Sequence, residues 1–210
     1  MKVKTFNAND MRQNTYLYYD EESGEGVFID AGCSSSDIVS ADLFIKESVL
    51  TIKGVLLTHG HYDHIIGAEG IRGIVSAPIY SHEAELSMLS TPSINLSTRI
   101  GGNLVVLAEK TLKNGDVFSL KNTQLKVLHV PGHTSGGVCY YDEINGILFS
   151  GDILFKESIG RSDLPGGNHQ ELVKNIVEKL FILPDDTIVY PGHGASTTIG
   201  HEKSCNPFLG

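Results

Sequence analysis

The sequence predicts an α/β protein, because short β-like runs alternate with segments of helical spacing along the whole chain. At 210 residues, with 40% hydrophobic and 20% charged residues, it has an ordinary globular composition and can bury a sizeable core. A weak internal similarity also supports this fold class: residues 26–32 and 146–152 share a Gly, three apolar residues and a turn that carries Asp. Such a similarity fits two β-sheet layers with helices outside.

The first half contains four predicted strands, a helix and a further strand–helix pair. The strand-like runs are Val3–Phe6, Thr15–Tyr19, Val27–Ile29 and Val55–Leu57. A helix is predicted over Ser34–Leu50, from apolar residues at helical spacing and from Ser and Asp residues placed to cap it. Ile79–Tyr80 is predicted as a strand and Glu83–Leu89 as a helix, and the Ser-, Asn-, Gly- and Pro-rich stretch Thr91–Asn103 as a long loop.

The second half repeats this style. Its predicted strands are Val117–Leu120, Leu125–Val130, Gly137–Tyr141, Ile147–Phe149 and Thr187–Tyr190. An amphipathic helix is predicted over His169–Phe181. Since no linker or low-complexity segment interrupts the chain, we predict a single domain over residues 1–210.

Charge and cysteine usage narrow the class of protein. The formal net charge is −9 and no Lys/Arg-rich run occurs, which argues against nucleic acid or an anionic membrane surface as a partner. Cys33, Cys139 and Cys205 are far apart and odd in number, so no disulfide framework is predicted. Met1–Phe6 leads straight into strand-like sequence, and no apolar segment has the length of a membrane span. We therefore expect a cytoplasmic protein.

The segment from His59 to His64, HGHYDH, carries the chemistry. Its three imidazoles and one carboxylate are the N and O donors that zinc-type ions bind. Thiolate donors are absent from it, which suits a hydrolytic site better than an iron–sulfur or structural cysteine site.

Three more candidate ligands follow apolar runs elsewhere: His133 in Pro-Gly-His, Asp152 in Ser-Gly-Asp and His193 in Pro-Gly-His. Loops that follow strands on one edge of a layered α/β domain converge, and sites are usually built there. Seven ligands suit two four-coordinate ions if one carboxylate bridges, and Asp152 is the natural bridge. Taken singly, a His after Pro-Gly is usually a turn residue and Asp63 is as well explained as a helix N-cap. Together they predict a metal site.

These residues resemble the signature of the metallo-β-lactamase superfamily, His-x-His-x-Asp-His followed by a single His, an Asp and a last His. The resemblance covers about residues 10–195. It implies a four-layer αβ/βα sandwich, two mixed β-sheets flanked by helices, with a dinuclear site at one edge. Position by position, metal 1 would be bound by His59, His61 and His133, and metal 2 by Asp63, His64 and His193, with Asp152 bridging. Zinc is the expected ion, and iron or manganese also fit these donors.

Within the family, residues 151–163 resemble the glyoxalase II branch and its persulfide dioxygenase relatives. In glyoxalase II a cation at the position of Arg161 helps hold glutathione, so Arg161 is a candidate for substrate binding. The Tyr found two residues later in that branch is Asp163 here. Because 17 positions follow His193, we do not expect the C-terminal helical domain of glyoxalase II. The chain thus resembles the short single-domain bacterial hydrolases of the glyoxalase II type.

Our leading hypothesis is a metal-dependent hydrolase of small-molecule thioesters, similar to hydroxyacylglutathione hydrolase. A metal-bridging hydroxide would attack the carbonyl, and Asp63 would orient it as catalytic residue and ligand. The alternative is a mononuclear iron persulfide dioxygenase. Hydrolysis of β-lactams is less favoured because no export signal is present, a nuclease is disfavoured by the charge, and a non-catalytic scaffold is disfavoured by the complete ligand set. We expect a monomer or a homodimer.

A few further residues are assigned from their positions. Asp30 ends a predicted strand, where it either orients a ligand imidazole or forms an Asx turn. His82 and His169 stand at predicted helix starts and are interpreted as surface residues. The tail, residues 200–210 with His201 and Lys203, either folds back on the site or caps the sheet.

Overall fold

A computed structural model describes residues 1–8 and 12–209. Residues 9–11 and Gly210 lie outside the described part. The first positions of the family resemblance and the last residue of the predicted single domain and of the tail are therefore not described. The chain divides into two compact units: unit 1 consists of Met1–Leu112 and Leu120–Asn122, and unit 2 of Lys113–Ser119 and Thr123–Gly210.

Unit 1 is built on a six-stranded mixed sheet with the strand order β1-β2-β3-β4-β5-β6. The strands are β1 (Lys2–Ala8), β2 (Gln13–Tyr19), β3 (Glu25–Ile29), β4 (Thr51–Leu56), β5 (Ile79–His82) and β6 (Lys110–Leu112). The first two pairings are antiparallel and the next three are parallel. Because β3, β4 and β5 run in the same direction, the segments that follow them leave the sheet at one edge.

Helices of unit 1 pack against this sheet. They are α1 (Ser35–Glu47), α2 (Tyr62–Ile65), α3 (Ala68–Val75) and α4 (Leu86–Ser90), with short 3₁₀ helices at Glu83–Glu85 and Ser97–Ile100. A capping box starts α1, in which Ser34 accepts from the Asp37 backbone and Asp37 accepts from the Ser34 backbone. Ala41 of α1 and Ile71 of α3 pack on sheet residues such as Phe28 in one apolar cluster.

Unit 2 holds the second six-stranded mixed sheet, with the order β14-β13-β10-β9-β8-β7. Its strands are β7 (Val117–Leu120), β8 (Thr123–His129), β9 (Val138–Asp142), β10 (Ile147–Gly151), β13 (Ile188–Pro191) and β14 (Thr197–Thr198). A separate hairpin is formed by β11 (Leu154–Phe155) and β12 (Ser158–Ile159). The pairing of β10 with β13 is parallel, so the segments after these two strands also leave at a common edge.

Two helical segments pack on the sheet of unit 2. One is α5 (His169–Asn175), which continues as a π-helical turn over Ile176–Leu180, and the other is α6 (Ile199–Cys205). Leu172 and Ile199 from these helices are fully buried beside Leu148 and Val189 of the strands.

The predicted α/β class, with two mixed sheets and helices, is confirmed. Every predicted strand is present with small shifts of its ends, and Thr91–Asn103 is mostly loop around its 3₁₀ turn. Four features were not predicted: α3, β6, the β11–β12 hairpin and the β14–α6 tail. No helix in residues 1–8 and 12–209 has the length and apolarity to cross a membrane.

Candidate metal centre

Unit 1 brings its four predicted donors together in the turn after β4 and in the short helix α2 that follows it. His59, His61, Asp63 and His64 are all buried. The ring centroids of His59 and His64 are 4.1 Å apart, and those of His59 and His61 are 4.8 Å apart. An oxygen of Asp63 lies 3.9 Å from Nε2 of His64. Asp63 lies inside the short α2 helix, whose N-cap residue is His61, so the alternative role of Asp63 as an N-cap is wrong.

Asp30 fixes the orientation of the His64 ring. Nδ1 of His64 donates to Oδ2 of Asp30 over 2.8 Å, and both side chains are buried. The Asp30 carboxylate also accepts from Thr58, whose backbone N–H and hydroxyl donate to it at 2.7 and 2.8 Å. With Nδ1 protonated, Nε2 of His64 carries the lone pair that a metal needs. Of the two interpretations of Asp30, the structure supports the orienting one.

Backbone strain accompanies this contact. Asp30 has a φ angle of 57°, in the left-handed region that non-glycine residues rarely adopt. Such strain persists where the surroundings over-determine it, and it is common at functional sites.

Glu85 is a functional candidate that the sequence did not reveal. Its side chain is fully buried, and Oε2 accepts the backbone N–H of Gly60 over 2.8 Å. Gly60 lies between two of the donors, and a Cβ on it would stand 2.9 Å from the Met88 side chain and 3.1 Å from Oε2 of Glu85. The carboxylate thus holds the backbone of the donor segment in a position that has no room for a larger residue.

The loop Thr91–Asn103 contacts the same segment. The backbone N–H of Tyr62 donates to the carbonyl of Asn95 over 2.9 Å. Burial, followed by the nearby carboxylate of Asp63, raises the pKa of Tyr62, and the charge of Arg99 acts in the opposite direction. The loop therefore supports the donor segment of unit 1 at Tyr62.

Unit 2 brings its three predicted donors together in the same way. Oδ2 of Asp152 lies 3.8 Å from Nε2 of His133 and 3.6 Å from Nε2 of His193. His133 is buried, and the His193 side chain is about a quarter exposed. These three residues follow β8, β10 and β13, as the strand-end argument expects.

His133 is oriented by a backbone carbonyl. Its Nδ1 donates to the carbonyl oxygen of Arg161 over 2.6 Å. The other ring nitrogen, Nε2, is then the unprotonated one, and it faces Asp152. The preceding Gly160 makes this approach possible, since a Cβ there would lie only 1.9 Å from the carbonyl oxygen of Asp152.

The side chain of Arg161 is engaged elsewhere. Its guanidinium donates two bonds of 2.7 Å to Asp163, and both side chains are more than half exposed. These bonds raise the pKa of Arg161. A substrate that uses the guanidinium would therefore compete with Asp163, and the role of Arg161 in substrate binding stays a prediction.

The chemistry of the donors fits divalent metal ions. They are imidazole nitrogens and carboxylate oxygens, and the rings of His64 in unit 1 and His133 in unit 2 are each held through Nδ1 by a protein acceptor. A fixed ring with a free ε nitrogen is the usual form of a histidine ligand. Zinc, iron and manganese all accept this set.

Comparison with known proteins shows the family. The model of the metallo-beta-lactamase superfamily matches residues 8–193. The probable metallo-hydrolase YqgX of Bacillus subtilis is 34% identical over 100% of this chain and 98% of its own length. The hydroxyacylglutathione hydrolase GloC of Haemophilus influenzae is 32% identical over the same shares. The chain belongs to the metallo-β-lactamase superfamily.

Solved structures agree. The BLEG-1 B3 metallo-beta-lactamase is 38% identical with a TM-score of 0.92, covering 99% of both chains. TTHA1623 in a di-iron-bound form is 32% identical with a TM-score of 0.84, covering 100% of both. ETHE1 from Myxococcus xanthus is 27% identical with a TM-score of 0.81, covering 99% of this chain and 84% of its own. The chain has the fold of this superfamily and is an enzyme of its metallo-hydrolase class.

Proposed function

We propose that the chain is a metal-dependent hydrolase of small-molecule thioesters, related in activity to hydroxyacylglutathione hydrolase. The observation that carries the proposal is the complete set of seven donors, in which Asp30 and the Arg161 carbonyl fix one ring in each unit. Strained and buried polar groups cost stability, and they cluster at active sites. Their presence around the candidate donors therefore favours a catalytic role.

The proposed centre follows the ligand assignment that the family resemblance implies. His59, His61 and His133 would hold one ion, and Asp63, His64 and His193 the other, with Asp152 shared between them. Such a pair of ions, when bound, would supply hydroxide at neutral pH and polarise a carbonyl. The di-iron form of a relative that is 32% identical supports two ions per chain. Zinc is the ion we propose for this chain.

The residues around the ions would divide the work. Asp63 would accept a hydrogen bond from the attacking water and hold its lone pair toward the substrate carbonyl. Asp30 and the Arg161 carbonyl would keep two rings from turning as charge develops. The Arg161 side chain would attract an anionic thiol carrier once it leaves Asp163.

Thioesters are favoured by two further observations. GloC of Haemophilus influenzae, which is 32% identical, is named a hydroxyacylglutathione hydrolase. Residues 151–163 resemble the glyoxalase II branch. In addition, no acid is needed to protonate the leaving group, because a thiol with a pKa near 8.5 departs readily as thiolate. The proposed donor set therefore suffices for this reaction.

Steady-state assays test the proposal. Protein loaded with two equivalents of zinc is expected to hydrolyse S-lactoylglutathione or another acyl thioester, with Asp63→Asn as the inactive control that retains the size of the side chain. If neither S-lactoylglutathione nor any other acyl thioester is turned over by protein that carries two ions per chain, the thioester assignment is wrong.

Two other activities belong in the same experiment. The alternative of a mononuclear iron persulfide dioxygenase has weaker support, in the likeness to ETHE1 and in residues 151–163. Oxygen uptake on glutathione persulfide by protein with one iron per chain would establish it in place of the hydrolase. The 38% identity to a B3 metallo-beta-lactamase makes a β-lactam the second hydrolytic substrate to assay.

A further inference from the structure

One hairpin in unit 2 is connected to all three donors of that unit. Asp152 lies two residues before β11, and the backbone N–H of Gly160, the first residue after β12, donates to the Ile153 carbonyl over 3.1 Å. This closes the base of the hairpin next to Asp152. The geometry of the hairpin therefore determines where the chain leaves Asp152 and where it reaches Arg161.

The other two donors contact the hairpin or the residues that directly follow it. The carbonyl of Arg161, two residues after β12, accepts the Nδ1–H of His133. The Phe155 ring, in β11, lies edge-on to the His193 ring with centroids 6.4 Å apart. A shift of the hairpin would thus alter the surroundings of both rings.

The C-terminal tail holds the turn of this hairpin. Glu157 is in the turn with a φ angle of 56°, and its backbone N–H donates to Oε2 of Glu202 over 2.9 Å. The Asn206 amide donates to the Ser158 carbonyl over 3.0 Å and to Oε2 of Glu202 over 2.8 Å. His201 reaches the Glu157 side chain over 3.0 Å. Among the described residues, the tail thus contacts the turn through Glu202 and His201 and the start of β12 through Asn206.

Glu202 is the centre of these contacts. Its side chain is fully buried, and Oε1 accepts the Thr197 hydroxyl over 2.5 Å while Oε2 accepts the two donors named above. A buried carboxylate costs free energy unless its oxygens are paired, and hydrogen bonds to a charged acceptor are about twice as strong as neutral ones. The strained turn at Glu157 is therefore fixed by a strong acceptor from the tail.

We propose that Glu202 is a positioning residue of the metal centre: through the hairpin turn it holds the Arg161 carbonyl on His133 and Phe155 on His193. The inference rests on the proposed metal function of these histidines. It gives the tail a role in the site without any contact between the tail and the ions. If the tail served only to cap the edge of the sheet, loss of Glu202 would lower stability and leave the rings unchanged.

The test compares Glu202→Ala with wild-type protein in two measurements. The first is zinc affinity, by competition with a chromophoric chelator. The second is the exchange rate of the imidazole Nδ1–H protons by NMR in the zinc-loaded protein, in which the Nδ1–H of His64 on Asp30 is an internal reference in unit 1. We expect zinc affinity to fall about tenfold, in the range found when a group behind a ligand is removed. The His133 proton should exchange about tenfold faster, and the His64 proton at its wild-type rate.

Two further variants distinguish a specific effect of Glu202 from a folding defect. Glu202→Gln keeps the size, its carbonyl can accept from Glu157 and its amide can donate to Thr197, so it should recover most of the affinity. Asn206→Ala removes one contact to the turn and should give a smaller effect of the same kind. Lys203→Ala is the matched control, because Lys203 lies in the same helix and pairs at 2.6 Å with Asp185, which lies outside the hairpin.

The outcomes separate this inference from the proposed function. Selective loss of the His133 proton and of zinc affinity in Glu202→Ala supports it. Unchanged affinity, or equal acceleration of both imidazole protons, overturns it and leaves the hydrolase proposal standing. Failure of the wild-type protein to bind any zinc, iron or manganese would instead remove the metal centre itself.

Discussion

Asp30 combines an unfavourable backbone angle with three accepted hydrogen bonds, two from Thr58 and one from His64. Only Gly, Asn and Asp visit the left-handed region readily. An aspartate there satisfies the turn and supplies a negative charge to an imidazole, which no other residue type does. The combination allows the backbone role and the charge to be tested separately.

Asp30→Asn should weaken metal binding with little change in the backbone. Asn tolerates the same φ angle, but the bond to His64 loses its charge, so we expect the affinity for zinc to fall about 10- to 100-fold. Chelator competition measures the change. Asp42→Asn, which removes an equal charge from α1 in an ion pair with Lys46, is the control. Equal affinities for the two variants would show that the His64 ring is held in some other way.

Asp163 should limit the use of Arg161. The pair is exposed and therefore worth at most about 1 kcal/mol, or a factor of about five. Asp163→Asn would release the guanidinium, and we expect KM for an anionic thioester to fall two- to fivefold (about 0.4–1 kcal/mol) with kcat unchanged. A neutral thioester is the control substrate. If Arg161→Ala has the wild-type KM for the anionic substrate, Arg161 does not bind it.

At this scale the clustering of the candidate donors within each unit could be predicted, and several of the contacts that hold them could not. The candidate donors stand in the sequence as His and Asp residues after apolar runs, five of them beside a glycine. The Arg161 carbonyl has no side-chain signature, and Glu85 and Glu202 resemble any glutamate near a helix. His82, interpreted as a surface residue, is buried and accepts the Ala84 N–H as an N-cap, so that interpretation was wrong. Only tertiary contacts distinguish such residues.

Among the elements, α5 and the loop that carries His133 are packed without free space. Gly132 has a φ angle of 134°, and a Cβ there would lie 2.4 Å from the backbone nitrogen of Leu172 in α5. The helix could accommodate a side chain only by moving away from the strand ends. This close approach couples the position of the helix to that of the donor one residue later.

Gly132→Ala should therefore be strongly destabilising. Backbone strain and the clash with α5 together are expected to lower the free energy of unfolding by about 2–4 kcal/mol, measured by urea denaturation. Gly146→Ala is the matched control, since Gly146 has a φ angle of 61° but open space around its Cα. It should lose only about 1 kcal/mol from the left-handed conformation. Similar losses for both variants would mean that α5 yields easily.

Elements with long apolar patterns were predicted well, while short ones were missed. The longer strands of both sheets have several buried residues, and the helices α1 and α5 place apolar residues on the cores of their units, such as Ile38, Ala41 and Phe44 of α1 and Leu172 of α5. By contrast, β14 and each strand of the hairpin have two residues, too few for a period, and their positions depend on partners such as Glu202. The tail was expected either to fold back on the site or to cap the sheet, and α6 packs beside β14 while its side chains reach the hairpin.

At the scale of the whole molecule, the reactivity of the three cysteines depends on how deeply each is buried. All are free, Cys33 and Cys139 are buried and Cys205 is exposed. Burial raises the pKa of Cys33 to about 11, partly opposed by a bond from Thr15, and burial also raises the pKa of Cys139. The reactive form of a thiol is the thiolate, so both buried groups stay neutral and unreactive at pH 8.

Thiol labelling of the native protein at pH 8 should accordingly give one fast and two slow sites. Raising the pH toward 11 should speed the reaction of Cys33, because more of it becomes thiolate. Cys205→Ser should remove the fast phase and leave the slow ones. Three fast phases in native protein would contradict the burial of the other two.

Two rings of the donor set, His64 and His133, are held by Asp30 and by the Arg161 carbonyl, which belong to the protein. These rings should keep their places when an ion leaves. Crystals of the protein can then be stripped with a chelator and soaked with another metal salt without disturbing the lattice. Zinc, iron and manganese can be compared in this way in a single crystal form, with anomalous scattering to give the occupancy of each position.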